Sequence, residues 1–177
     1  MENIIIQAFK DDPMISEVTK YDIVIDNYGD FVAVVENRGN NFVIKINLDK
    51  TMFMYEEVDD FDALIRFLVK HELGHIHLGH LLIDPVDVEV NGTVVHLDPV
   101  EDAELLNLAA DSIINSKIPE AQMLKDYMVP PEVWVTDPDK VKPGSFVGPT
   151  QLLENPTTET LAAFLKFLKT ERRNKGA

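Results

Sequence analysis

His71-Glu72-Leu73-Gly74-His75 sits inside an amphipathic run from Asp59 to Leu82. Asp59-Asp60-Phe61-Asp62 offers an Asp N-cap and a further acid in the first turn, where the helix dipole favours negative charge. Phe61, Leu64, Ile65, Leu68, Val69, Leu73, Ile76 and Leu81 then recur at steps of three and four or their sums, the apolar stripe of a helix packed on a core. Asp84-Pro85 stops the run, because the residue before proline is pushed out of the α region. The spacing predicts a helix over 59–82. On it, His71 and His75 lie one turn apart on one face, about 5–6 Å apart at Cβ. Two imidazoles so placed can bind one divalent metal, typically Zn2+, as two corners of a tetrahedron. Glu72, beside the first ligand, is placed to act as general base without binding the metal itself.

At 177 residues and 45% hydrophobic, the chain suits one globular domain, 1–177, with a real core. It has no Cys, which excludes disulfides and thiolate metal sites. A net charge of −15 argues against nucleic acid as a partner, since phosphate contacts need clustered Lys and Arg. The one basic cluster, Lys166 to Lys175, suits the cationic end of a last helix over 157–174. The N-terminus has no signal-peptide pattern and no apolar stretch reaches membrane-span length, so the expectation is a cytoplasmic protein with no membrane association.

Residues 1–58 read mainly as β-sheet. Tyr21–Asp26, Phe31–Glu36 and Phe42–Asn47 are β-branched and aromatic runs separated by turn compositions, which predicts an antiparallel meander with Thr51–Tyr55 as a possible fourth strand. An open edge of such a sheet would accept an extended peptide as an added strand. Residues 86–97 alternate about Asn91-Gly92, the signature of a hairpin with a type I′ turn. With Asp87 and Glu89 on its outer face, it reads as a flap or as a plain excursion.

A second helix over 99–117 follows, with Asp98 as N-cap and Pro99 in the first turn. Glu104, Asn107, Asp111 and Asn115 share one stripe of it. A carboxylate among Ala109, Ala110, Ile113 and Ile114 is costly to bury unless paired or bound to a metal, so Asp111 is the better candidate for a third ligand and Glu104 the rival. His80 lies five residues beyond His75, about 140° round the helix, and His77 is further off axis. The position a metzincin fills with its third His is Leu81. His96 has no evident partner. Residues 117–156, rich in proline, read as mostly irregular. They are the place to look for an oxyanion donor such as Tyr127, with Trp134 a core anchor.

His71 through His80, followed by Asn107-Leu108-Ala109-Ala110-Asp111-Ser112-Ile113-Ile114-Asn115, resembles the metallopeptidase domain that precedes a von Willebrand A-like domain in bacterial proteins. That family pairs an HExxH-x4-H helix with a helix bearing N-x-A-x-D-x-x-x-N. The resemblance spans about residues 60 to 170. It implies an α+β, zincin-like fold, with a small antiparallel or mixed sheet packed on the HExxH helix and a second, ligand-bearing helix. It further implies His71, His75 and Asp111 as zinc ligands, Glu72 as catalytic base, and a peptide or protein substrate. The chain is too short to hold a von Willebrand domain as well, which points to a stand-alone or phage-type version. A weaker similarity to the ImmA/IrrE metallopeptidases would move the third ligand to Glu104 or Glu101. The expected activity is zinc-dependent peptide hydrolysis; the alternative is a catalytically silent zinc-binding regulatory or protein-interaction domain.

Overall fold

In the computed structural model, residues 21–38, 42–77 and 84–176 are described. Residues 1–20, 39–41 and 78–83, with His80, Leu81 and the expected end of the HExxH helix, lie outside them, as does residue 177. The described chain is α+β, with small mixed sheets and several helices. It divides into two compact units. One takes in residues up to 78 together with 118–124, the other 79–117 together with 125–177.

The first unit contains β1 (Tyr21–Ile25), β2 (Ala33–Asn37), β3 (Phe42–Ile46), α1 (Leu48–Met54) and α2 (Phe61–His77). The strand order is β1-β3-β2, with β1 parallel and β2 antiparallel to β3. The expected antiparallel meander is therefore corrected to a mixed sheet. The reason lies in the connection between β1 and β2, which is too long for a tight hairpin and is used elsewhere. Asn27 Oδ1 accepts from the backbone N–H of Leu48 (2.9 Å), and Gly29 O accepts from Asn47 Nδ2 (2.9 Å). The loop thus holds the start of α1, and β2 turns back on β3 instead of β1. Ile44 and Ile46 are fully buried, and Val43 on the opposite face of the strand is buried too.

Thr51–Tyr55 is not a strand. Asn47 caps a helix there, accepting from Lys50 N at 2.9 Å, with Asp49 in the first turn. In α2 the expected Asp cap is present, Asp60 Oδ1 accepting from Ala63 N at 3.0 Å. Leu64, Ile65, Leu68, Val69 and Leu73 are buried as the stripe requires, each worth about 1.5–3 kcal/mol of burial free energy before entropy. Phe67 and Lys70, off the stripe, are buried as well, so α2 is enclosed on more than one side.

The second unit contains β4 (Val86–Val90), β5 (Thr93–Leu97), α3 (Ala103–Ser116), β6 (Met128–Val129), α4 (Pro131–Thr136), β7 (Phe146–Val147) and α5 (Thr158–Gly176), and a 3-10 segment, Pro119–Tyr127, crosses from one unit to the other. The β4–β5 hairpin turns at Asn91 (φ 50°) and Gly92 (φ 79°), the left-handed pair that a type I′ turn demands. It is a wall of the core: Val90, Val95 and Leu97 pack with Leu161, Ala162 and Leu165 of α5. His96 does have a partner, Asp87 Oδ1 at 2.7 Å from its Nδ1, on the exposed face.

The second helix starts at Ala103 and not at Pro99. Asp98 closes a separate turn, its Oδ1 accepting from Val100 N (2.8 Å) and Glu101 N (2.9 Å). The bond from Glu101 N is the main reason its carboxyl is held below the ordinary Asp range. Asp102 turns away from the helix it precedes and binds Lys166 Nζ at 2.9 Å. The stretch 117–156 is more regular than its prolines suggest, because Pro131 occupies a first-turn helical position where a missing N–H costs nothing.

Candidate metal centre

Helix α2 supplies the first half of the site. His71 and His75 are both half-buried, and their Nε2 atoms lie 3.2 Å apart with ring planes at 84°. A zinc ion bound tetrahedrally at about 2.0–2.1 Å from each nitrogen sets those nitrogens roughly 3.3 Å apart. The pair thus fits a shared ion, although one N–H···N bond between the rings has the same length. The Phe67 ring, one turn earlier and fully buried, lies tilted with its centroid 6.1 Å from that of the His71 ring. Glu72 follows His71 on the helix and is half-buried.

Asp111 belongs to the second unit, on α3. Its residue is half-buried and its Oδ1 atom is shut off from water. Around it Ala109, Ala110, Ser112, Ile114 and Asn115 are buried. Burial separates it from its rivals, since Glu104 and Glu101 are exposed. Two imidazoles and one carboxylate, the donor set of His71, His75 and Asp111, are of the kind that holds a divalent ion.

The side chains flanking Asp111 fasten α3 within its unit. Ser112 Oγ donates to Gly148 O and Asn115 Nδ2 to Val147 O, both at 2.8 Å and both buried. Gly148 in turn donates to Val129 O at 2.8 Å, and a Cβ on it would come within 3.2 Å of the Met128 Cβ, so a glycine suits this close approach. Trp134 Nε1 also bonds Val129 O, at 3.0 Å, which makes the lone tryptophan a structural anchor. Tyr127 is half-buried at the end of the 3-10 segment. A cavity of about 390 Å³ opens between Ser112 and Ser116 of α3, Lys117 just after it, and residues 149–156. None of His71, Glu72, His75 or Asp111 lines it, so it has no part in the site.

The sequence reading missed the Lys70–Glu120 ion pair beside His71. Lys70 Nζ lies 2.7 and 3.0 Å from the two Glu120 oxygens, with side-chain exposures of 4% and 15%. A lysine on the otherwise buried side of α2 was the signal available; its partner fifty residues on was not.

No protein-family model, curated protein or solved structure matches the chain.

Proposed function

We propose that the protein is a zinc-dependent metallopeptidase of zincin-like architecture, in which His71, His75 and Asp111 hold the ion and Glu72 is the catalytic base. The observation that carries the reading is the 3.2 Å separation of the two Nε2 atoms, the spacing that two corners of one zinc tetrahedron need. Bound zinc would supply Lewis acidity, lowering the pKa of a coordinated water and polarising the scissile carbonyl. The chain's own groups do the rest. The two imidazoles must be neutral at Nε2 to serve as ligands, so binding weakens as pH falls through the histidine range. Glu72, kept off the metal by its place on the helix, takes a proton from the attacking water at a carboxylate oxygen and delivers it to the leaving amine nitrogen. The substrate class is a peptide or protein segment.

The test pairs zinc content with hydrolysis of a quenched-fluorescent peptide library. Glu72→Gln is expected to keep zinc at wild-type stoichiometry and lose hydrolysis by at least ~100-fold, the usual scale of a general-base contribution. His75→Ala is expected to lose the metal. Wild-type protein that holds zinc and cleaves nothing would return the chain to the silent, zinc-binding alternative. Wild-type protein that holds no zinc would remove both readings.

A further inference from the structure

The cavity at the end of α3 lies wholly within the second unit. Among the described residues that line it, Lys117 is the one charged side chain, in a chain with 31 acidic and 16 basic residues. Ile113, Pro149, Leu153 and Pro156 give it apolar walls, and about 390 Å³ is the size of a small-molecule site. The 149–156 wall is fastened near both ends. Thr150 Oγ1 and Gln151 N donate to the buried Glu132 carboxylate, and Thr157 Oγ1 caps α5 by accepting from Thr160 N at 3.2 Å. Asn155 keeps a left-handed backbone (φ 45°) with a proline directly after it, and outliers of this kind collect at ligand sites.

The hydroxyl protons at the cavity are already committed: Ser112 Oγ donates to Gly148 O, Ser116 Oγ to Ile113 O and Thr150 Oγ1 to Glu132. Two donors are left. Among the described residues, no hydrogen-bond or ion-pair partner meets the Lys117 ammonium or the Asn155 carboxamide. The last-turn carbonyls of α3, which would repel an anion, are taken, Ile113 O by Ser116 and Ile114 O by Lys117 N at 3.0 Å. We propose that this cavity binds an aliphatic carboxylate, its chain against Ile113, Leu153 and the two prolines and its oxygens held by Lys117 Nζ and the Asn155 amide. An ammonium and a carboxamide N–H both donate, and a carboxylate is the acceptor that uses both in charge-assisted bonds. Two sources carry that chemistry, a free aliphatic acid and the C-terminus of an apolar peptide. The site does not depend on zinc.

Heteronuclear amide NMR on the full chain tests this with hexanoate and N-acetyl-leucyl-leucine, each compared with its own amide. Both acids are expected to give saturable shifts confined to residues 112–117 and 150–157. Each acid should bind about fivefold tighter than its amide, the upper end for an ion pair open to water. Lys117→Met should erase that preference, leaving the amide's affinity within about twofold of its wild-type value. Ser116→Trp, which fills the cavity, should abolish binding of all four probes. Lys117 and Ser116 are both exposed, so neither variant threatens the fold. Equal affinity for acid and amide, or an acid preference that survives Lys117→Met, would overturn the proposal. So would binding that survives Ser116→Trp, shifts centred elsewhere, or no saturable shift from either acid. Tighter binding of hexanoate identifies a free acid as the ligand and tighter binding of the dipeptide a peptide C-terminus; either order supports the carboxylate site.

Discussion

Ser112→Ala isolates the buried hydrogen bond that helps fasten α3. Ser112 is 1% exposed and its hydroxyl donates to Gly148 O at 2.8 Å. Alanine removes one oxygen and leaves no sizeable cavity, so the loss is that of a buried carbonyl left without its donor. That costs about 1–3 kcal/mol. The second unit has about 90 residues, for which each kcal/mol moves the melting temperature by roughly 4–8 °C, so a fall of about 4 °C or more is expected. Urea unfolding followed by tryptophan fluorescence is the assay, because the chain's one tryptophan, Trp134, lies in this unit and bonds its backbone. The midpoint should drop with the slope unchanged. Ser116→Ala is the control. That hydroxyl donates to Ile113 O at 2.6 Å but is exposed, so its carbonyl partner can turn to water and the change should stay within about 0.5 kcal/mol. Equal effects from the two serines would refute the argument that burial makes the difference.

Three further outcomes are expected. Zinc at a hundred times its dissociation constant should stabilise the wild type by about 2.7 kcal/mol in thermal unfolding, an effect that EDTA reverses and His71→Ala abolishes. Phe67→Ala should cost about 3–5 kcal/mol, since the ring is fully buried, and should weaken zinc binding by removing the ring beside His71; unchanged zinc affinity in folded protein would refute the second part. The Asp98 carboxyl is held below its ordinary value of 3.8 by the backbone N–H groups of Glu101 and Val100. A lowered pKa means a contribution present above that value and lost as pH falls through the folded one, so Asp98→Asn should flatten acid unfolding below about pH 4; a wild-type acid profile in the variant would count against it.

Much of the candidate site is legible in the sequence because its signals are short-range. The Asp60 cap, the stripe of α2, the HExxH spacing and the Asn91-Gly92 turn each depend on residues within a turn or two of one another. The preference for Asp111 over Glu104 also came from local burial pattern, and their exposures follow it. The Asn47 cap of α1 was equally local, yet the β-like run Thr51–Tyr55 drew the reading the other way.

Elsewhere the deciding contacts are distant. Whether β1 pairs with β2 or β3 depends on a loop committed to capping α1 about twenty residues later, which no window over the strands contains. The start of α3 shifted because Asp102 is drawn to Lys166, sixty-four positions on. The Lys70–Glu120 ion pair joins residues fifty apart. Which helix carries the histidines, and how they are spaced, can be read from neighbouring residues alone, because helix periodicity and capping are local physics. The partners that fasten α2 and α3, each within its own unit, emerge on folding, because buried ion pairs and carbonyl partners are chosen by which distant segments must share a core.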